Sequence, residues 1–279
     1  MNPNQALWEK GDFTQIAALI RSSEEKIVGS LGVSPSVQVL DLGCGDGTAA
    51  LPLAQLGAQV TGIDIARNLI DAGNQRAMKA GLSNLKFQEG DACDLQGIAD
   101  HFFDLGISLF GAMFAPRPFD VARELVRVTK PGGRIVMGNW IPNDPTSFVS
   151  QLLKISAAFA PAPPEGFISP MTWGVESHII ERFGQAGIPA ENISMVKDSL
   201  SFASPDLAPD ELVEIFRRFY GPTMNAFEAA EKNGMQDDLR QQLIALATAQ
   251  NTAVDGGIAI SATFMKVVVQ VASGPQTIH

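Results

Sequence analysis

Histidine is scarce in this chain: three residues, His101, His178 and His279. Cysteine is scarcer, with only Cys44 and Cys93, each in a predicted turn and far apart in sequence. Two such thiols make neither a zinc site nor a disulfide framework. They are expected to be free and reduced, as in a cytoplasm. No histidines or acids stand at metal-ligand spacing, so no metal is expected. There is no Lys/Arg cluster either. The chain has 20 basic against 30 acidic residues, a net charge of −10. The electrostatic footprint of a nucleic-acid binder is therefore missing, and a small-molecule partner is the better expectation. Met1-Asn2-Pro3-Asn4 does not open a basic segment followed by an apolar one, so no signal peptide is expected. The most apolar late run, Ile258 to Ala272, contains Lys266. It is shorter than the ~20 residues of a membrane span, so it reads as a core strand and no membrane partner is expected.

What remains is a globular composition, 46% hydrophobic and 18% charged over 279 residues. That excludes disorder and suits one large domain. The chain is organised around Val39-Leu40-Asp41-Leu42-Gly43-Cys44-Gly45-Asp46-Gly47. An apolar run from Val37 to Leu42 meets glycines at every second position, and a helical pattern follows from Thr48 to Gly57. This reads as buried strand, sharp turn and helix. Glycines permit positive φ and let a ligand approach the main chain. The turn falls at the carboxyl end of the first strand, where open α/β sheets bind ligands.

Along the chain, Phe13 to Leu31 has helical spacing. Strands are expected at Gln59 to Ile65, Leu85 to Glu89 and Phe103 to Leu109. A helix over Ala66 to Ala80 ends at Gly81, and another spans Phe119 to Val128. Pro131-Gly132-Gly133 reads as a turn into a fifth strand, Arg134 to Asn139. Strands alternating with helices imply a parallel sheet covered on both faces. From Trp140 the character changes. Residues 140–175 are rich in proline and aromatics and hold a possible helix, Phe148 to Ala160. A helix over Glu176 to Ala186 and a strand over Ile193 to Phe202 follow. Helical segments then run through Pro209 to Phe219, Met224 to Lys232 and Gln236 to Ala253, before the last strand, Ile258 to Val271. The expectation is one domain over 1–279, with residues 35–140 as its ligand-binding half and 140–175 and 205–255 as cap insertions.

A dinucleotide fold would want Gly-x-Gly-x-x-Gly. Here Thr48 stands in the third glycine's place, and Asp41 and Asp46 flank the turn. A pyrophosphate at a helix N-terminus prefers neutral or positive surroundings. Two acids suit a cationic ligand better, such as S-adenosylmethionine (SAM), which has a sulfonium, an ammonium and no phosphate. The stretch Val39 to Gly47 resembles the first motif of class I SAM-dependent methyltransferases, and other landmarks follow in order. Asp64 ends the second strand, Gly90-Asp91-Ala92 follows the third, and Ser108-Leu109-Phe110-Gly111-Ala112-Met113-Phe114 ends the fourth. Leu125 to Gly133 is similar to the helix and turn before strand five. More closely, Gly11-Asp12-Phe13, Phe110 to Pro116, Trp140 and Trp173-Gly174 resemble the methyltransferase-11, menaquinone-biosynthesis-like group, whose members methylate many small molecules.

The resemblance implies a doubly wound, Rossmann-like, seven-stranded sheet, parallel with an antiparallel last strand, under a mostly helical cap. It implies SAM as cofactor and S-adenosylhomocysteine as product. Cofactor contacts would come from Asp41, Gly43, Cys44, Gly45, Asp64 and Ile65, with Asp64 on the ribose hydroxyls. Asp91 and Ala92 would meet the adenine, Ser108 would face the amino-acid end, and Trp8 or Phe13 would close over the site. Phe110, Met113, Phe114, Trp140, Trp173 and Tyr220 are the candidate acceptor-pocket residues, and His178 is the candidate general base. The expected reaction is an in-line displacement moving the methyl group to O, N or C of a small molecule in an apolar aromatic pocket. The competing readings are a non-catalytic SAM-binding module, a methyltransferase of macromolecules and an NAD(P)-dependent oxidoreductase. The expected state is a cytoplasmic monomer or homodimer.

Overall fold

A computed structural model describes residues 5–254 and 256–273. His279 and the opening Met1 to Asn4 lie outside the described residues. Seven strands form one sheet. They are β1 (Gln38–Leu42), β2 (Gln59–Asp64), β3 (Leu85–Glu89), β4 (Phe103–Leu109), β5 (Thr129–Trp140), β6 (Ile193–Ser204) and β7 (Ile258–Gln270). Their order is β3-β2-β1-β4-β5-β7-β6. The first five run parallel, and β7 runs antiparallel to both β5 and β6. Four of β1's five residues and six of β4's seven are buried, which is why these strands read as continuous apolar runs.

Ten helices accompany the sheet among the described residues. They are α1 (Gln5–Lys10), α2 (Thr14–Gly29), α3 (Ala50–Gln55), α4 (Arg67–Lys79), α5 (Pro118–Val128), α6 (Phe148–Phe159), α7 (Glu176–Gln185), α8 (Pro209–Phe219), α9 (Gly221–Lys232) and α10 (Gln236–Gln250). Proline stands at the first or second position of α5, α8 and α9. There its missing N–H leaves no bond unmade. α6 packs on α9 and α10, and α8, α9 and α10 pack on one another. No helix is long and apolar enough to cross a membrane among the described residues.

Two elements differ from expectation. The segment Pro131-Gly132-Gly133 lies inside β5 as an irregularity, not before it. Phe103 pairs with Thr129 and Leu105 with Arg134, so extra residues are accommodated there. The strand stays attached because Gly132 N–H donates to Val271 O and Val271 N–H donates to Gly133 O, both at 2.9 Å. The other difference is α1, a six-residue helix with too few turns to show a period. It is fixed by tertiary contacts. A Cβ on Gly221 would lie 2.8 Å from Leu7 Cγ, and one on Gly11 would lie 2.5 Å from Phe219 O. Asp12 then starts α2 by accepting from Thr14 N–H at 3.2 Å and Thr14 Oγ1 at 2.5 Å.

Candidate active site

The three glycines after β1 have different reasons for being glycine. All have positive φ: +70° at Gly43, +54° at Gly45 and +82° at Gly47. A Cβ on Gly43 would sit 2.7 Å from Gly111 Cα, and one on Gly111 only 2.2 Å from Gly43 O. The turns after β1 and β4 therefore touch backbone to backbone. A Cβ on Gly47 would strike the Phe87 ring at 2.5 Å, and the same ring is crowded by Gly62 and Gly73. Gly45 alone has open space where its side chain would be. That space belongs to a cavity of about 960 Å³, mouth included.

Gly43, Gly45, Asp64, Ile65, Gly90 and Ala92 form one side of this cavity, from the ends of β1, β2 and β3. Asp64 is held by backbone donors: Gly45 N–H to Oδ2 and Ala66 N–H to Oδ1, both at 2.9 Å. Burial raises its carboxyl above the ordinary range, against the pull of these N–H groups. Asp41 lies beneath the turn, 2% exposed, and its Oδ2 has no partner. Burial first, and then the neighbouring Asp64, push it from 3.8 to about 7, while the Ala50 N–H works the other way. Cys44 is buried, and its thiol is pushed well up by burial and by Asp41.

The other side is aromatic. Trp8 meets Phe114 edge-on at 5.0 Å and Tyr220 at 6.0 Å, and Tyr220 meets Phe216 at 5.4 Å. Phe110 stacks on Trp140 with centroids 3.9 Å apart and planes 14° from parallel. Phe110 holds φ +62°, costly for a residue with a Cβ. Its N–H donates to Gly138 O at 2.9 Å, which fixes the ring beside β5. The Tyr220 hydroxyl is buried without a hydrogen-bond partner among the described residues, and burial drives its pKa up, so the phenol keeps its proton.

Of the residues singled out from the sequence, Gly43, Gly45, Asp64, Ile65, Ala92, Trp8, Phe13, Phe110, Phe114, Trp140 and Tyr220 converge on this cavity. Asp41, Cys44, Asp91, Ser108, Met113, Trp173 and His178 are not in its wall. Ser108 Oγ accepts from Ala112 N–H at 3.0 Å and so shapes the turn after β4. Asp91 accepts from Cys93 N–H at 2.8 Å, while its neighbours Gly90 and Ala92 reach the cavity. Met113 is buried in the core. Trp173 lies under Arg182, whose guanidinium carbon is 4.6 Å from the ring centroid, and beside Phe183. His178 is on α7, which packs against α5. No histidine is among the residues lining the cavity, of those described. From residues 140–175 only Trp140 and Val149 reach the wall. The proline-rich stretch from Pro161 to Glu165 is exposed.

Sequence reasoning missed Ile16, Ile20 and Glu24 on α2, Phe202 on β6 and Phe216 on α8, all in the wall. The first three are spaced by four, one stripe of a helix. An acid on that stripe was a readable signal. The site fits a SAM-type ligand on the structure's own terms. It has a glycine turn opening on free space, a carboxylate fixed at the end of β2, and buried acids short of partners.

The family model for the methyltransferase domain (Methyltransf_11) matches residues 40–137. An uncharacterized protein of Mycobacterium tuberculosis is 32% identical over 229 residues, covering 81% of this chain and 80% of that protein. A demethylmenaquinone methyltransferase of Paenarthrobacter aurescens is 28% identical over 172 residues, 58% of this chain and 66% of the relative. Among solved structures, the YcgJ protein of Bacillus subtilis superposes with a TM-score of 0.56 at 18% identity, covering 91% of this chain and 99% of that one, a likeness of fold. With its motifs, its strand order and these relatives in agreement, the chain belongs to the class I SAM-dependent methyltransferases.

Proposed function

We propose that this methyltransferase acts on a small, largely apolar acceptor that is uncharged or positively charged. The observation carrying this reading is the cavity wall. It holds two carboxyls, Asp64 and Glu24, and otherwise apolar, aromatic or backbone groups, with no Lys, Arg or His among the described residues. A carboxylate or phosphate entering such a wall would lose its water, meet no cationic side chain and face two carboxyls, which is costly. The demethylmenaquinone methyltransferase relative, which by its name takes a small molecule, supports a small-molecule acceptor here.

When bound, SAM supplies an activated methyl group and a positive charge. The chain's own work is to hold and align. Asp64, fixed by Gly45 and Ala66, would accept from the ribose hydroxyls. Gly90 and Ala92 would hold the adenine end. Phe110, Phe114, Trp140 and Tyr220 hold the acceptor and keep water out. Alignment of two reactants contributes on the order of 7–11 kcal/mol. The Tyr220 hydroxyl, kept protonated, donates to an acceptor oxygen or nitrogen and sets its orientation.

The test is S-adenosylhomocysteine formation across matched acceptors, with phenols, quinols and amines set against carboxylates and phosphates on the same skeletons. Turnover is expected only with the uncharged and cationic members. Turnover of the anionic ones would overturn the reading of the wall. SAM binding without turnover of any acceptor would favour a binding module.

A further inference from the structure

One ionisable side chain in the cavity wall is claimed by none of the family motifs. Glu24 follows Ile16 and Ile20 on the wall-facing stripe of α2. It is 5% exposed, and no hydrogen bond reaches its carboxyl among the described residues. The neighbouring residue fixes its position. Ser23 Oγ donates to Ser201 O and accepts from Ser201 N–H, both at 3.1 Å, pinning α2 to β6.

A cation stands one turn back on the same helix but is committed elsewhere. Arg21 Nη2 lies 2.8 Å from Asp46 Oδ2, and Arg76 Nη1 lies 3.0 Å from Asp46 Oδ1. Asp46, buried like Glu24, thus has two arginines and also accepts from Thr48 Oγ1 at 2.8 Å. Glu24 has none of these. The ionisable groups facing it are Asp41 on β1, Asp46 in the glycine turn and Arg21. Tyr220 and Asp64 share its cavity. On the elements packed against α2, Lys197 pairs with Asp144, and Glu214 pairs with Arg217 and Arg240. Burial and two neighbouring acids hold the Glu24 carboxyl well above the ordinary range, which favours its protonated form. A buried acid without a partner destabilises the free chain, and a cation in the cavity would reverse that.

We propose that Glu24 is the counter-charge for a positively charged group of a bound ligand and gives up its proton when that group enters the cavity. No covalent bond changes: the proton passes to solvent and an ion pair forms. The proposal rests on the cavity being the SAM and acceptor site. The cation has two possible sources, the sulfonium or ammonium of SAM, or a protonated amine on the acceptor.

Calorimetric titration of the full chain with SAM at pH 7, in two buffers of different ionisation enthalpy, counts the protons released. The wild type is expected to release up to one proton more than Glu24→Gln. The variant, whose amide mimics the protonated acid, is expected to bind SAM about tenfold more weakly. If SAM gives no Glu24-dependent release, but benzylammonium titrated into chain saturated with S-adenosylhomocysteine does, the cation belongs to the acceptor. Absence of Glu24-dependent release in both titrations overturns the proposal. In that case normal SAM binding leaves the methyltransferase reading standing, whereas a wild type that does not bind SAM removes that reading itself. Circular dichroism and a melting temperature no lower than wild type establish that Glu24→Gln is folded. Glu24→Leu, which removes the carboxyl altogether, gives the same comparison if it is not.

Discussion

One side of the cavity is made of backbone and the other of side chains. On the glycine-turn side, Gly43 rests on Gly111, Gly45 opens to the cavity, and main-chain N–H groups of Gly45 and Ala66 hold Asp64. These residues come from the ends of adjacent parallel strands, so the topology of the sheet assembles them. On the aromatic side, Trp8, Phe13, Trp140, Val149, Phe202, Phe216 and Tyr220 come from across the chain and are assembled by packing. A backbone surface tolerates few substitutions and holds a constant ligand. A side-chain surface is rebuilt by substitution without disturbing the sheet. The first suits a cofactor common to a family, and the second an acceptor that differs between members.

The sharpest contrast lies within the glycine turn. Gly43→Ala drives a methyl group into the backbone of residues 111 and 112 from a left-handed conformation. A loss of about 4 kcal/mol or more is expected, seen as a large drop in melting temperature. Gly45→Ala meets only the conformational cost, about 1–2 kcal/mol, because its methyl group enters open space. It should fold, with its loss expressed in SAM affinity. Equal stability of the two variants would mean that backbone contact does not build this side.

Next in size is a pH effect beneath the turn. Asp41 is pushed up from 3.8 to about 7 in the folded chain. An acid so raised binds its proton more tightly folded than unfolded. Its favourable contribution is therefore full below about pH 4 and is lost as pH rises to about 7, up to about 4 kcal/mol in all. Asp41→Asn keeps an acceptor for the Ala50 N–H and has nothing to titrate. Denaturant unfolding should find it more stable than wild type at pH 8, with the gap closing towards pH 4. A gap independent of pH would remove burial of an uncompensated acid from the account.

The smallest stability effect is expected on the aromatic side. Trp8 is half-buried at the mouth of the cavity, in edge-on contact with Phe13, Phe114 and Tyr220. Trp8→Ala should cost about 1–2 kcal/mol of stability, within the range of single partly buried side chains. KM for the acceptor should rise more than the dissociation constant of SAM. A larger effect on SAM than on the acceptor would assign Trp8 to the cofactor side.

The two sides were also unequally legible in the sequence. Strand ends recur at regular intervals in a parallel sheet, so Gly43, Asp64 and Ala92 could be placed from spacing and resemblance before any coordinates. The reason for Gly47 could not, because Phe87 lies forty residues away in sequence. Trp173 is a candidate pocket residue by resemblance, and His178 a candidate base as the one histidine in a plausible cap position. Residues 170–174 pack against α7, β5 and residues 112–114, and α7 packs against α5, which only tertiary packing decides. α1 was invisible for want of length. Glu24 was visible as an acid on the apolar stripe of α2, but its lack of a partner depends on Arg21 turning to Asp46, a contact made across the fold.

In the reading proposed above, the strand-end side of the cavity holds the cofactor and Asp64 is its main polar contact. Calorimetric titration of SAM into Asp64→Ala, with circular dichroism to establish folding, tests it most directly. Loss of a charged hydrogen-bonding partner is worth about 1.5–3 kcal/mol, so affinity should fall roughly 10- to 150-fold. A folded Asp64→Ala chain that binds SAM as tightly as wild type would contradict the claim.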